Sequence, residues 1–382
     1  MNLLIVCRHC AAGDQRTRQP RDPAGRRAAR TGLVPALALL LAACAATPEA
    51  RSVGPRLMAE WEPAVGTLVV FPFELPDELV QDLATEATLY VLVTDDDREA
   101  ALAKLSALGV QQARVRFVPT AARSPWTRDW GPHQIEGPNG ELALVDHVFR
   151  GYPWVPADPA PEHFTYPMGR MDGEDEAVPT LARALGLSTV SLPAIATGGN
   201  LLTDGRGRAF CTQAQVMENH DLLDEAAYRN ALREVLGITD LVVLENTEPF
   251  GIQHIDCWMK VIDPETLLIK QAPAGHPEHA PLERNVARLA SLTTPSGGRY
   301  RIVRVDCPPY QDDQLPAYTN SLRLGSVVHV PLFGGETDER ALATYRAVLP
   351  DCEVRGYLHE GWMHFDALHC RTRALHGTAT AR

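Results

Sequence analysis

Trp126-Thr127-Arg128-Asp129-Trp130-Gly131-Pro132 sets two of the chain's six tryptophans around a carboxylate and closes on a Gly-Pro turn. An aromatic wall beside a carboxylate suits a planar cation, because guanidinium both stacks on rings and takes a bidentate carboxylate fork. Two core tryptophans, with Asp129 paired to Arg128, account for the same residues equally well. Three further islands combine scarce residue types with turn formers: Thr197-Gly198-Gly199-Asn200, His254-Ile255-Asp256-Cys257 and Leu368-His369-Cys370-Arg371-Thr372. All four read as strand ends or loops, where site residues are displayed.

On a strand, positions i and i+2 face the same side, so His254 and Asp256 are expected to enter one cavity together. The pair fits a base beside a cation holder, an ordinary polar pair, or two metal ligands. Cys370 stands next to His369 and ahead of Arg371 and Arg373. Positive neighbours lower a thiol pKa, whereas apolar burial raises it. The alternative for a lone cysteine is a small buried hydrophobe.

Between the islands, short apolar runs alternate with amphipathic segments. The patterns predict strands over 67–72, 89–94, 115–118, 142–149, 241–244, 300–305 and 327–332. They predict helices over 97–108, 176–185, 221–236 and 338–348, stopping at Gly109, Gly186, Gly237 and Pro350. This mixture indicates an α/β fold. No interior linker is long enough to divide it, so one catalytic domain over 56–373 is expected, with a tail over 374–382. No sequence repeat is visible by eye.

The first fifty residues differ from the rest. Residues 8–30 hold seven Arg and two acidic residues, and residues 33–43 are an apolar run of eleven ending at Cys44. That run is short of the roughly 20 apolar residues a membrane-spanning helix needs. With its basic lead-in it reads as the n-region and h-region of an export signal, a buried core helix being the alternative. Leu41-Ala42-Ala43-Cys44 resembles the bacterial lipobox, cut before a cysteine that then carries lipid. Residues 1–43 are therefore expected to be a signal peptide, Cys44 a lipidated anchor and 44–55 a linker, giving an exported, membrane-anchored lipoprotein of the bacterial envelope. The stretch ahead of the apolar run is long for an n-region, which points to a start codon further downstream.

The formal net charge is −12, and losing seven Arg and two Asp with residues 1–43 takes it to −17. Such a surface repels nucleic-acid phosphates and tolerates cationic substrates. Cys7, Cys10 and Cys44 belong to the leader region, leaving Cys211, Cys257, Cys307, Cys352 and Cys370. An odd number implies a free thiol or pairing between chains. Their scattered spacing is neither a disulfide framework nor a metal-ligand pattern.

Taken in order, the islands resemble those of the bacterial peptidylarginine deiminase and agmatine deiminase family of guanidino-group modifying enzymes. Ala59-Glu60-Trp61-Glu62-Pro63 resembles the family's opening and Trp126 to Pro132 its first acidic motif. Gly198-Gly199-Asn200 resembles its glycine turn, Gly251 to Asp256 its His-x-Asp strand, Pro316-Ala317-Tyr318-Thr319-Asn320 its asparagine segment, and Leu368-His369-Cys370 its nucleophile motif. The resemblance spans about residues 57–373. It implies an α/β propeller, or pentein, of five ββαβ-type modules around a pseudo-fivefold axis with the site at the centre.

The resemblance also implies chemistry. Cys370 would attack the guanidinium carbon, Asp129 and Asp256 would grip its N–H groups, and His254 would protonate the leaving ammonia and then deprotonate water. Trp126 would stack on the substrate, Asn320 would shape the pocket, and Arg150, or Arg170 instead, would meet a C-terminal arginine carboxylate. No organic cofactor and no catalytic calcium or other metal are expected. Phe365-Asp366-Ala367 stands where many relatives carry Gly-Gly or Gly-Ala, and Asp366 near the thiol would raise its pKa.

Export favours peptidyl-arginine or an arginine derivative over agmatine, as does Thr197, which stands where agmatine deiminases often carry Glu. Agmatine remains the alternative substrate. Rivals from other classes are a non-catalytic guanidinium-binding lipoprotein and a metal-dependent hydrolase built on His254 and Asp256. Homo-oligomerisation is left open.

Overall fold

The computed structural model describes residues 54–152, 172–249, 251–310 and 313–377. The expected signal peptide, Cys44 and Arg170 lie outside the described residues. The strands form five sheets. Each contains the same unit: an antiparallel pair, then a helical crossover to a third strand lying parallel to the second. A parallel neighbour needs such a crossover because a tight hairpin reverses direction.

The first module joins His133–Glu136, Leu142–Val148, helix Ala177–Leu185 and Ser188–Ile195. The second joins Leu202–Thr203, Arg208–Thr212, helix Glu225–Leu236 and Asp240–Leu244. The third uses Met259–Asp263, Thr266–Gln271, helix His279–Ser291 and Arg301–Asp306. The fourth uses Leu322–Leu324, Val327–Leu332, helix Asp338–Val348 and Glu353–Leu358. The fifth closes the ring from both ends of the domain. Arg373–His376 pairs antiparallel with Ala64–Val70, which leads through helix Asp77–Glu86 to Thr88–Val93. The arrangement is the pentein α/β propeller, and it supplies the repeat that is invisible by eye.

Local sequence explains these units. Helix Glu225–Leu236 starts where the Asp224 side chain accepts the Ala227 N–H, and it buries Tyr228, Leu232 and Leu236 on one face. It stops at Gly237, whose φ of 69° favours glycine. A Cβ there would also lie 1.9 Å from the Pro55 carbonyl oxygen. Strand Thr266–Gln271 is buried on both faces, with Leu267, Leu268 and Ile269 all at 0% exposure, as a sheet packed between layers requires.

Three expectations are corrected. The helix predicted over 221–236 begins only at Glu225, because Asp224 caps it and the preceding residues turn back onto Asn219. The domain does not end at residue 373: Ala374 and Leu375 are buried in the closing strand, whose partner lies at the other end of the domain. His254 and Asp256 are not on a strand either. Ile255–Cys257 is a single 3-10 turn with His254 at its start.

The islands acquire one structural meaning. Trp126 to Pro132, Thr197 to Asn200, His254 to Cys257, Pro316 to Asn320 and Leu368 to Thr372 are the connections entering the first strand of each successive module. They close into a ring of hydrogen bonds. Gly199 N–H donates to Asp129 Oδ1 at 3.0 Å, Ile255 N–H to Asn200 Oδ1 at 3.3 Å, and Thr319 Oγ1–H to the Asp256 carbonyl at 3.1 Å. His369 N–H donates to the Asn320 carbonyl at 3.0 Å and Arg128 N–H to the Cys370 carbonyl at 3.0 Å.

Candidate active site

Asp129 sits in the single helical turn Thr127–Trp130 and is fully buried. Its carboxylate accepts the Gly199 N–H and the Tyr152 hydroxyl, and its Oδ1 lies 3.5 Å from His254 Nδ1. Burial raises its pKa, and the nearby His254 charge offsets only part of that. Gly199 must be glycine: a Cβ would lie 2.6 Å from Asp129 Oδ1 and 2.7 Å from His254 Nδ1.

Asp256 faces the same centre. Burial pushes its pKa up, but the His369 Nδ1–H bond at 2.7 Å and the His369 charge more than offset this and leave it lowered. The other His369 nitrogen meets Glu60. With a carboxylate on each ring nitrogen, both nitrogens donate, which is the hydrogen-bond pattern of an imidazolium.

Cys370 lies at the meeting point. Its Sγ is 3.9 Å from Asp256 Oδ2 and 3.1 Å from Asn320 Nδ2. Asn320 Oδ1 also accepts the His369 and Cys370 N–H groups at 2.9 and 3.2 Å, so one amide pins both the loop and the sulfur. Of the opposing influences expected on the thiol, the adjacent cations do not act, whereas burial and Asp366 raise its pKa as expected. Arg371 is spent on Asp366 at 2.7 Å, His369 on Asp256 and Glu60, and Arg373 points elsewhere. Burial first, then the Asp256, Asp366 and Asp129 charges, push the thiol to about 12.

His254 is fully buried, neither ring nitrogen has a hydrogen-bond partner among the described residues, and its ring tilts against Tyr152 at 5.6 Å. Trp126, Asp129, Tyr152, Ile252, Phe365, Asp366 and Cys370 line one small cavity. Both tryptophans pack in one core cluster, and Trp126 also walls the cavity. Arg128 pairs with Glu60 at 3.3 Å rather than with Asp129. Arg150 is exposed and does not line this cavity.

Tyr152 and Glu60 escaped sequence reasoning as site residues. Tyr152 belongs to no island, and Glu60 carries no chemical signal of its own within the opening segment. Among the described residues, the one His/Cys/Asp/Glu group with metal-like spacing is Asp256, Cys257 and Cys370, whose donor atoms lie within 4.8 Å of one another. His254 is not part of it, so the paired His254/Asp256 ligand alternative lacks a built donor set.

The chain is similar to proteins whose names carry guanidino chemistry. A provisionally named agmatine deiminase of Streptomyces coelicolor is 25% identical over 243 residues, covering 60% of this chain and 68% of that protein. The structure of an agmatine deiminase of Enterococcus faecalis superposes with a TM-score of 0.72 at 17% identity, over 85% of this chain and 96% of its own. That of a provisionally named arginine deiminase from Porphyromonas gingivalis gives 0.70 at 22% identity, over 84% and 98%. Identities this low establish the shared fold. Over residues 56–375 the chain matches the Porphyromonas-type peptidyl-arginine deiminase family and belongs to it, and it is therefore a hydrolase acting on the C–N bonds of guanidino groups.

Proposed function

We propose that the chain deiminates peptidyl-arginine or an arginine derivative to the citrulline product plus ammonia, through a covalent thiouronium on Cys370. The observation that carries this is the convergence of one thiol, Cys370, two carboxylates, Asp129 and Asp256, and His254 on one buried centre. A guanidinium between the carboxylates would take a fork from each, replacing the Tyr152 hydroxyl on Asp129, and would turn its carbon toward the sulfur. Paired in this way, the cation escapes the cost of unpaired burial.

The bound charge favours the thiolate, and the thiol proton passes to His254. Sulfur attacks the guanidinium carbon, His254 returns the proton to the departing nitrogen, and ammonia leaves. Water then attacks the thiouronium carbon, His254 takes its proton, and cleavage of the C–S bond restores Cys370. Trp126, Ile252 and Phe365 would wall the substrate methylenes, while Asn320 holds the sulfur in place.

Agmatine is the second reading. Its distal ammonium needs a carboxylate, yet the cavity wall offers only Asp129 and Asp366 among the described residues, and Asp366 is committed to Arg371. That supports an arginine residue, with its neutral or carboxylate main chain, as the substrate. Measuring ureido product from agmatine, free arginine and peptides with internal or C-terminal arginine tests this. A higher kcat/KM for agmatine overturns the substrate assignment. No product from any of them, with guanidinium binding intact, replaces the enzyme by a binding protein.

The lipobox-like Cys44 supports placement of the enzyme on the envelope, where such peptides are met. Cys44→Ala should release it from the membrane fraction or block maturation. A soluble wild-type product that retains residues 1–43 removes the export argument and shifts the preference back to agmatine.

A further inference from the structure

A second cavity, of about 60 Å³, shares no lining residue with the first. Its wall takes residues from the first strands of four modules and includes Arg128, Arg373, Lys260, His133, His376 and Glu60. The first five are each less than a tenth exposed. Two arginines and a lysine therefore face one carboxylate. Glu60 is already divided among Lys260 at 2.5 Å, Arg128 at 3.3 Å and His369.

Arg373 has no ion-pair partner among the described residues. It donates to the Arg128 carbonyl at 2.6 Å and to His133 Nδ1 at 3.0 Å. His133 Nε2 lies 2.6 Å from the Ala196 carbonyl, which can only accept, so the proton sits on Nε2 and Nδ1 is free to accept from Arg373. His133 is thus a neutral brace. Burial first, then the Arg373 charge, also hold its pKa well below the ordinary value. Arg128 Nη2, the atom that lies 3.3 Å from Glu60, makes no hydrogen bond of good geometry among the described residues. Gly198 keeps this packing possible, since a Cβ there would lie 2.2 Å from Arg373 Nη1.

An arginine stays charged inside a protein, and a buried charge without a counter-charge is costly. Burial and then Arg128 drive the Arg373 pKa well below its ordinary value, and the Asp129 and Glu60 charges only partly oppose that shift. The site thus lacks negative charge. The cavity has room for roughly four water-sized spheres at about 15 Å³ each, a space suited to one small oxyanion. Arginine forks match oxyanion geometry. The chain as a whole carries −12 and repels anions, so uptake here would be local and specific.

We propose that this cavity binds a small oxyanion of the phosphate or carboxylate class, held by Arg373 and Arg128 with Lys260. Its occupant braces the nucleophile loop from behind. Arg128 N–H holds the Cys370 carbonyl, Arg128 Nε–H reaches the His369 carbonyl at 3.4 Å, and Arg373 is three residues from Cys370.

The test titrates the purified protein with inorganic phosphate, and separately with acetate, against chloride at constant ionic strength. Calorimetry and the thermal unfolding midpoint are the readouts. A saturable one-site isotherm and a raised midpoint are expected with phosphate or acetate, and the tighter of the two assigns the class. Arg373→Gln should remove both effects. Because Arg373 is a buried strand residue, Thr203→Glu on the cavity wall gives a second arm. It supplies a resident carboxylate, so it should raise the midpoint without added anion and abolish the response to phosphate. Equal midpoints in all three salts overturn the proposal, as does a response undiminished in both variants.

Discussion

In the substrate-free protein Cys370 should be a thiol that becomes a thiolate only when a cation arrives. Burial and the facing Asp256, Asp366 and Asp129 hold its pKa at about 12. At neutral pH the thiolate is then only about one part in 10⁵. A guanidinium about 4 Å from the sulfur, at an effective dielectric constant of about 20, interacts with it by about 4 kcal/mol. At about 1.4 kcal/mol per unit, that lowers the pKa by about three units, to roughly 9. Two measurements check this. Alkylation of the Cys370 peptide by iodoacetamide in the free protein, followed by mass spectrometry, should accelerate tenfold per pH unit from 7 to 10 without levelling. In turnover, kcat should level near pH 9 while kcat/KM continues to rise, because the first reports the bound and the second the free enzyme. An alkylation plateau below pH 9 without substrate would refute activation by the bound cation.

Cys370→Ser should abolish turnover with the fold preserved by circular dichroism, while Cys211→Ser and Cys352→Ser retain activity; near-normal turnover of Cys370→Ser sinks the nucleophile assignment. Asp129→Asn and Asp256→Asn each lose charge-assisted hydrogen bonds worth about 1.5 to 3 kcal/mol, so kcat/KM should fall at least tenfold to a hundredfold. Asp256→Asn should lose more, because that carboxylate also holds His369, and unchanged kinetics in either variant place that carboxylate outside the site. Cys211, Cys307 and Cys370 are each pushed by burial to about 12, above the value of an unfolded cysteine, so the native state binds more protons in between. Their contribution to stability is complete below about pH 8.5 and falls by about 1.4 kcal/mol per pH unit for each thiol, or about 4 for the three, as pH rises toward 12. Urea midpoints that stay level from pH 8 to 10.5 would contradict it.

The islands were legible because their chemistry is concentrated in scarce residues at turns, and because their order along the chain is specific. The fivefold repeat was not, since the strands they lead into are short. Leu202–Thr203, Leu322–Leu324 and Arg373–His376 are too brief to show a period of two, and their partners are set by tertiary pairing. The engagement of the cations beside Cys370 was not legible for a related reason, although the raising effects of burial and Asp366 were. Each island is a single tight turn, and in a turn successive side chains swing by about 100°, as they do in a helix. Neighbours in sequence therefore serve different places. Asp129 lines the small cavity beside Cys370 and Arg128 the cationic one; Cys370 meets Asp256 while Arg371 turns to Asp366 and Arg373 to His133. A cation one or three residues from a thiol can thus leave its pKa high, while a tyrosine 23 residues from Asp129 supplies its hydroxyl partner. In this fold, electrostatic adjacency follows the ring of junctions around the axis rather than the chain.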